Sequence, residues 1–309
     1  MKLAIFGCGK IANRIAESCL KVDNIDLVGF ASKDIEKARA YAEKYGCREF
    51  GDYDHFLNSD IDSIYISTYN KSHFELIKQC LCHHKNVICE KPMLFSVGQT
   101  KEAFALAKEN DVLLMEALKS VFLPLMIRVK KMIKEKEIGE VSEIEASFMC
   151  CGSHPEDHWI NDPLTGGAFK DLGSYCVGTI NFLLDKKGEI VSYEDDHREG
   201  KAETTAYATI DYDGVIGRVS VSNTVNGKCG LTVKGSRGFI EVDNFWKTGK
   251  GYYECDGVRY DLDEELISDF YYELKHFADL VDNKEKQSPV MDEEASLDII
   301  RITEWRNER

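Results

Sequence analysis

The chain has 309 residues, 43% hydrophobic and 30% charged with five prolines; this is ordinary globular composition, in a chain longer than one hydrophobic core usually serves. Its formal charge of -15 opposes attraction to nucleic-acid phosphates and anionic lipid, so neither nucleic acid nor membrane is expected as a partner. No apolar run approaches the ~20 residues that span a bilayer, and no signal-peptide pattern opens the sequence, which predicts a cytoplasmic protein.

Residues 2–6 read as a strand ended by Gly7, and Ile11, Ile15 and Leu20 mark one face of the helix that follows. Strand-like runs recur at 25–31, 61–67, 87–89 and 112–115, with helical segments at 34–45, 72–83 and 100–108 between them. This alternation predicts right-handed crossovers and a parallel, doubly wound sheet over residues 1–120. The pattern then changes to a helix at 123–136, a strand at 143–150, a glycine-rich segment and an apolar stretch at 175–184. Runs at 204–211, 215–223, 229–234 and 238–242 alternate apolar and polar residues, and helical spacing returns at 264–282 and 291–306. Residues 121–309 are therefore expected to form an α+β domain with an open, largely antiparallel sheet.

Eleven cysteines, odd in number and irregular in spacing, are expected to be reduced thiols. Cys80, Cys82, His83 and His84 lack a second ligand pair at zinc-like spacing and read as a helix end; Cys150-Cys151 likewise reads as packed small side chains, and no metal is expected.

Gly7-Cys8-Gly9-Lys10-Ile11-Ala12 lies between the first strand and first helix, the context in which a G-x-G-x-x-G/A string has physical meaning. Gly7 permits the tight turn, Gly9 lets backbone approach a pyrophosphate at the helix N-terminus, and Ala12 allows close helix-strand packing. The second strand ends in Ser32-Lys33 where an NAD site places an acid. A hydroxyl and a cation suit a 2′-phosphate, so NADP(H) is preferred; Asp34 either keeps NAD open or caps the next helix. Cys89-Glu90-Lys91-Pro92 places a lysine at the carboxyl edge of the parallel sheet, where such folds bind ligands.

Taken with Met115-Glu116-Ala117 and Gly166-Gly167-Ala168-x-x-Asp171-x-Gly173-x-Tyr175, these strings in this order resemble the Gfo/Idh/MocA family of glucose-fructose oxidoreductase and inositol dehydrogenase. The resemblance extends through Gly235-Ser236-Arg237-Gly238-Phe239-Ile240 and Ser288-Pro289-Val290-Met291. It implies an N-terminal dinucleotide-binding Rossmann domain and a C-terminal domain for substrate and dimerisation, with a homodimer expected and a tetramer left open. The family's lysine falls on Lys91, and its Asp-x-Gly-x-His motif on Asp171, Gly173 and Tyr175, with tyrosine in the histidine place. That departure, with Ser32-Lys33, resembles the dimeric dihydrodiol and xylose dehydrogenase subgroup.

The resemblance implies hydride transfer between NADP, or NAD, and a sugar, polyol or dihydrodiol-like alcohol or ketone. Tyr175 would carry the proton, Lys91 would stabilise its phenolate, and Asp171 would position Lys91 or a substrate hydroxyl. It also implies that Ser67-Thr68-Tyr69-Asn70-Lys71-Ser72-His73 follows the cofactor, with Asn70 and His73 matching the family and Tyr69 replacing its usual proline. Glu90, Lys91 and Glu116 are carried over as cofactor-side residues. His73 reads equally as a polar residue in the next helix's first turn. The polar segment Ser153 to Pro163 is placed near substrate, with Trp159 and Asn161 as candidate lining; Pro155 breaks the helical geometry that His154 and His158 would need to bind metal. Two alternatives stand: an NAD-dependent inositol- or sugar-type dehydrogenase, and a non-catalytic dinucleotide- or sugar-sensing regulator.

Overall fold

A computed structural model describes residues 1–152, 155–196 and 198–304. Ser153 and His154 of the polar loop, and the helical reading from residue 305 onward, lie outside the described residues. Two compact units are present: Met1–Leu118 with Phe270–Glu293, and Lys119–Asp269 with the chain from Glu294 onward.

In the first unit β1 (Lys2–Phe6), α1 (Lys10–Cys19), β2 (Asp26–Ala31), α2 (Ile35–Tyr45), β3 (Arg48–Phe50), α3 (Tyr53–Leu57), β4 (Ser63–Ile66), α4 (His73–Cys82), β5 (Asn86–Glu90), α5 (Val97–Glu109) and β6 (Leu114–Ala117) succeed one another. The six strands are parallel, in the order β3-β2-β1-β4-β5-β6. Leu3 to Phe6, Ile64 to Ile66 and Val87 to Cys89 are completely buried, as strands covered on both faces must be. The order reverses between β1 and β4, so their carboxyl ends flank the crevice where such sheets take ligands.

The face of α1 differs from expectation. Ile15 is buried, but Ile11 and Leu20 are exposed, and the inward stripe is Ala12, Ile15, Ala16 and Cys19. Those positions follow the 3.6-residue period more closely than the pattern of large side chains did. Ala12 and Ala16 let the helix approach the sheet where a larger residue would hold it away.

The second unit contains α6 (Pro124–Lys134), β7 (Val141–Met149), α7 (Ala168–Asp171), α8 (Gly173–Leu184), β8 (Glu189–Asp195), β9 (Thr205–Tyr212), β10 (Val215–Ser222), β11 (Cys229–Gly235), β12 (Gly238–Asp243), β13 (Lys250–Cys255) and β14 (Val258–Asp263). The sheet order is β14-β13-β12-β11-β7-β10-β9-β8, antiparallel except where β10 pairs with β7 in parallel. Ile144, Ala146, Val219, Val221, Leu231 and Val233 form its buried face. α8 is almost wholly buried, which explains its continuous apolar sequence. Lys119 and Asp269, the first and last residues of the long segment, form a buried ion pair. The chain then forms α9 (Tyr271–Asp282), grouped with the first unit, and α10 (Glu293–Thr303); residues 264–270, expected to be helical, precede α9 without joining it.

The centre of the sheet's outward face carries an ionic lattice. Glu143 pairs with Arg218 at 2.8 Å and with Lys234 at 2.7 Å, and Lys234 also reaches Glu145. Hydrogen bonding from Lys234, with Arg218 adding to it, lowers the Glu143 carboxyl to about 2.

Candidate active site

In the first unit the expected cofactor residues converge on the carboxyl edge of the parallel sheet. Gly7 leaves β1 at φ +118°, its N–H donating to Ala31 O at 2.9 Å. A Cβ there would lie 2.7 Å from the Ser67 carbonyl oxygen, so glycine alone permits both the dihedral and the approach. Gly9, the N-cap of α1, is different. Its φ of -96° suits any residue, and an added Cβ would meet nothing within 4 Å. Packing does not demand glycine there; its missing side chain opens the helix N-terminus. The first turn of α1 has neither a side-chain cap nor an acidic residue, so its N–H groups remain available to an anion. Lys10 and Ile11 are exposed at that turn and Ala12 is fully buried against the sheet. Cys8 is half-buried, with burial pushing its thiol up to about 11, so it is an uncharged wall beside Ala31 O.

A cavity of about 560 Å³ adjoins this turn, lined by Gly7, Ser32, Lys33, Thr68, Tyr69 and Ser72 among others. Among the described residues the Lys33 ammonium has no ion pair. Asp34 is engaged elsewhere: it caps α2, accepting from Lys37 N at 3.4 Å, and pairs with the Lys37 side chain. An open Cβ position at an uncapped helix start, beside a hydroxyl and an ammonium, fits a dinucleotide whose ribose carries a phosphate.

Partly buried polar groups fix the loop after β4 and tie it to the turns after β1 and β5. Ser67 donates to Gly7 O at 3.4 Å, Thr68 Oγ1 lies 2.9 Å from Ser72 Oγ, and Asn70 donates to Pro92 O at 3.2 Å. Tyr69 has φ -66°, the angle at which a proline ring is locked, so tyrosine follows the path that a proline would. His73 is completely buried, with Nδ1 3.1 Å from Met93 O and Nε2 3.2 Å from Thr68 O. Burial pushes its imidazole down to about 4, so the ring is neutral at pH 7; its single N–H can donate to only one of the two carbonyls, and both loops pack about the ring. Glu116, also buried, accepts from Met93 N at 3.0 Å. Glu90 accepts from Tyr65 at 2.9 Å, and the same phenol reaches Glu273 of α9 at 3.2 Å. Lys91, half-exposed, thus stands on a loop anchored at Glu90, Pro92 and Met93; its bond to Pro92 is cis.

In the second unit Asp171 ends α7 and Tyr175 lies in the first turn of α8, 7% exposed. The cap position of α8 is Leu172, and that helix start has no side-chain cap. The Tyr175 ring lies 5.9 Å from Phe148 on β7, and Phe148 stacks on Trp246 at 3.7 Å. Sequence reading missed both aromatics. Phe148 could have been found by continuing the Ile144, Ala146 alternation; Trp246 lies in a turn and gives no local signal. Gly166 and Gly167 are both forced: a Cβ would meet Trp159 O at 2.4 Å in one case and the Glu203 carboxylate at 2.2 Å in the other. Glu203, buried, fixes the start of α7 by accepting from Phe169 N at 3.1 Å. Trp159 and Asn161 form a short 3-10 turn, and the Asn161 amide donates to Pro155 O and Glu156 O. At the end of α4, His83 and His84 contact backbone carbonyls, and the eleven cysteines are free thiols.

Comparison with known proteins agrees with this geometry. Residues 1–118 match the family model described as an oxidoreductase family with an NAD-binding Rossmann fold, and residues 126–241 match the GFO/IDH/MocA C-terminal domain. The chain is 27% identical to trans-1,2-dihydrobenzene-1,2-diol dehydrogenase of Xenopus laevis, over 94% of this chain and 92% of the relative. It is 27% identical to scyllo-inositol 2-dehydrogenase (NADP(+)) of Bacillus subtilis, over 98% and 95%. Among solved structures, a 3-ketoreductase from Actinomadura kijaniata in complex with NADP and TDP-benzene superposes with a TM-score of 0.90 at 23% identity, over 98% of this chain and 95% of that one. Aldose-aldose oxidoreductase from Caulobacter crescentus gives 0.91 at 22%, over 100% and 98%.

The two glycines should separate folding from binding. Gly7→Ala is expected to destabilise by about 2 kcal/mol or more. Gly9→Ala should cost under about 1 kcal/mol yet weaken dinucleotide binding by about tenfold. Urea unfolding and ligand titration check this, and equal stability losses with unchanged binding would contradict it. His73 should give an acid-dependent loss of stability. Its folded pKa lies below the ordinary 6.5, so the unfolded chain binds a proton that the folded chain refuses. Stability present above pH 6.5 is then lost as pH falls toward 4, by about 3 kcal/mol from this group. Urea midpoints at pH 7 and pH 4.5 should fall less in His73→Gln than in the wild type; equal falls would remove the assignment.

Proposed function

Because the chain belongs to the GFO/IDH/MocA family of NAD(P)-dependent oxidoreductases, we propose that it acts on a CH–OH group, or the corresponding ketone, of a sugar, polyol or dihydrodiol-like substrate. The observation that carries this is the open, uncapped start of α1 at Gly9 with Ser32 and Lys33 in the adjoining cavity. NADP(H) is the preferred cofactor in this reading, since Asp34, which an NAD site would need, is engaged as a helix cap. When bound, the nicotinamide takes or gives the hydride.

The free backbone N–H groups at the start of α1, reached through the turn at residues 7–12, would hold the pyrophosphate, and Ser32 with Lys33 would take the 2′-phosphate. Ser67, Thr68 and Asn70 shape the wall that follows the cofactor. His73, Glu90 and Glu116 set the loop that carries Lys91. In oxidation the substrate carbon loses hydride while its hydroxyl proton passes to Tyr175; in reduction Tyr175 returns that proton to the new alkoxide. A phenol is a poor base at neutral pH, and the Lys91 ammonium is assigned to stabilise the phenolate and orient the reacting oxygen, with Asp171 positioning them. Phe148 and Trp246 supply an apolar wall beside Tyr175. Trp159 and Asn161 belong to the substrate side. Assembly as a homodimer rests on family likeness and not on an apolar sheet face, and a cytoplasmic location belongs to the same proposal.

Lys91→Ala and Tyr175→Phe should each lower turnover by about a hundredfold or more while leaving NADPH affinity unchanged. Assays against sugars, inositols and diols with NADP, beside NADPH titration, read both quantities. Full turnover in either variant would remove that residue from the chemistry.

A further inference from the structure

The second unit holds a further cavity of about 390 Å³ at the carboxyl ends of β7 and β10, where Gly152 N donates to Asn223 O and Asn223 N to Thr204 O, each at 2.9 Å. Its polar side chains are engaged to different degrees. Thr204 gives its hydroxyl proton to Asp196 and accepts that of Thr224 at 3.0 Å, so both hydroxyl donors are used internally. The Asn161 amide N–H groups go to backbone carbonyls. Lys201 pairs with Glu156 at 2.6 Å, which offsets that carboxylate and leaves further ammonium protons.

Two lining groups remain. Asn223 is 7% exposed, yet among the described residues its carboxamide has no hydrogen-bond partner. Arg198 is half-buried at the same wall, and among the described residues its guanidinium has neither ion pair nor hydrogen bond. The Asn223 amide stays accessible from the cavity, so it can both donate to and accept from a ligand there. A guanidinium beside it presents a planar fork suited to the two oxygens of a carboxylate or phosphate. The donors available to a ligand are therefore Arg198, Lys201 and Asn223. The acceptors, Asn161 Oδ1, Thr224 Oγ1 and Glu156, suit neighbouring hydroxyl groups.

We propose that this cavity seats the oxyanion, carboxylate or phosphate, of a polyhydroxylated substrate, so that sugar acids or sugar phosphates are preferred to neutral sugars. That the occupant is a substrate rests on the oxidoreductase reading; that it is an oxyanion rests on the cavity alone. Along β7, Phe148 beside Tyr175 and Gly152 at the cavity are four residues apart, at most roughly 13 Å of extended chain, a reach on the scale of a hexose with a charged terminus.

Calorimetric titration of the cofactor-free protein with glucose, gluconate and glucose 6-phosphate tests this, with wild type beside Arg198→Met and Asn223→Ala. One charged probe should bind about tenfold or more tightly than glucose, and Arg198→Met should abolish that advantage without altering the thermal midpoint. Asn223→Ala should weaken the same probe while leaving glucose unchanged. Whether gluconate or glucose 6-phosphate gains identifies carboxylate or phosphate. Equal affinity for charged and neutral probes, no binding by either charged probe, or an advantage that survives Arg198→Met overturns the proposal. Turnover of the same compounds with NADP is read separately. Charged-probe binding with no turnover of any of these compounds would remove the assignment of the occupant as the reaction's substrate and leave the oxyanion site standing. Turnover of neutral sugars without any charge preference would do the reverse.

Discussion

The backbone at Gly7 passes so close to the Ser67–Thr68 peptide that no side chain fits between them, and the carboxyl edge of the parallel sheet is arranged around that approach. Close packing of the turns after β1 and β4 brings the start of α1 and the loop that opens α4 to the same crevice. His73 then extends the arrangement, its neutral ring standing between Thr68 O and Met93 O. Glu116 holds the Met93 N–H from below. A lysine on a free surface loop would sample many positions; Lys91 is instead carried by a segment whose neighbours are fixed by buried hydrogen bonds. Such bonds are costly to break because each would leave a polar group without water.

The second unit positions its residues by similar means. Glycines at 166 and 167 let the chain fold against the Trp159–Ile160 carbonyls and the Glu203 carboxylate, which directs α7 and α8 toward the end of β7. Tyr175 consequently lies against the aromatic pair Phe148 and Trp246, and not on an exposed helix face. A phenol in such a setting has an apolar wall beside a polar hydroxyl.

Much of this was legible in sequence because the strands of the first unit are buried on both sides and read as unbroken apolar runs. The Gly7, Gly9, Ala12 spacing carries its own local geometry: a tight turn at Gly7, an open helix start at Gly9 and a buried contact at Ala12. The missed elements share a cause. β3 is three residues long, β8 exposes four of its seven residues and β14 exposes all but Leu262, so none shows the alternation of a half-buried strand. Leu20 reads as an apolar position in the helix pattern yet lies on the surface, because Ala12 and Ala16 mark the true contact face. The roles of His73, Glu203, Phe148 and Trp246 depend on partners distant in sequence, and local pattern carries no information about them. The ionic lattice around Glu143 was likewise hidden, since its members come from three different strands.

What occupies the cavity beside Ser32 and Lys33 is tested most directly by fluorescence titration with NADPH and NADH, wild type beside Ser32→Asp. Tighter binding of NADPH that the added carboxylate abolishes is the expected result. Stronger binding of NADH by the wild type would contradict the assignment of the phosphate site, and binding of neither would contradict the reading of the α1 N-terminus itself.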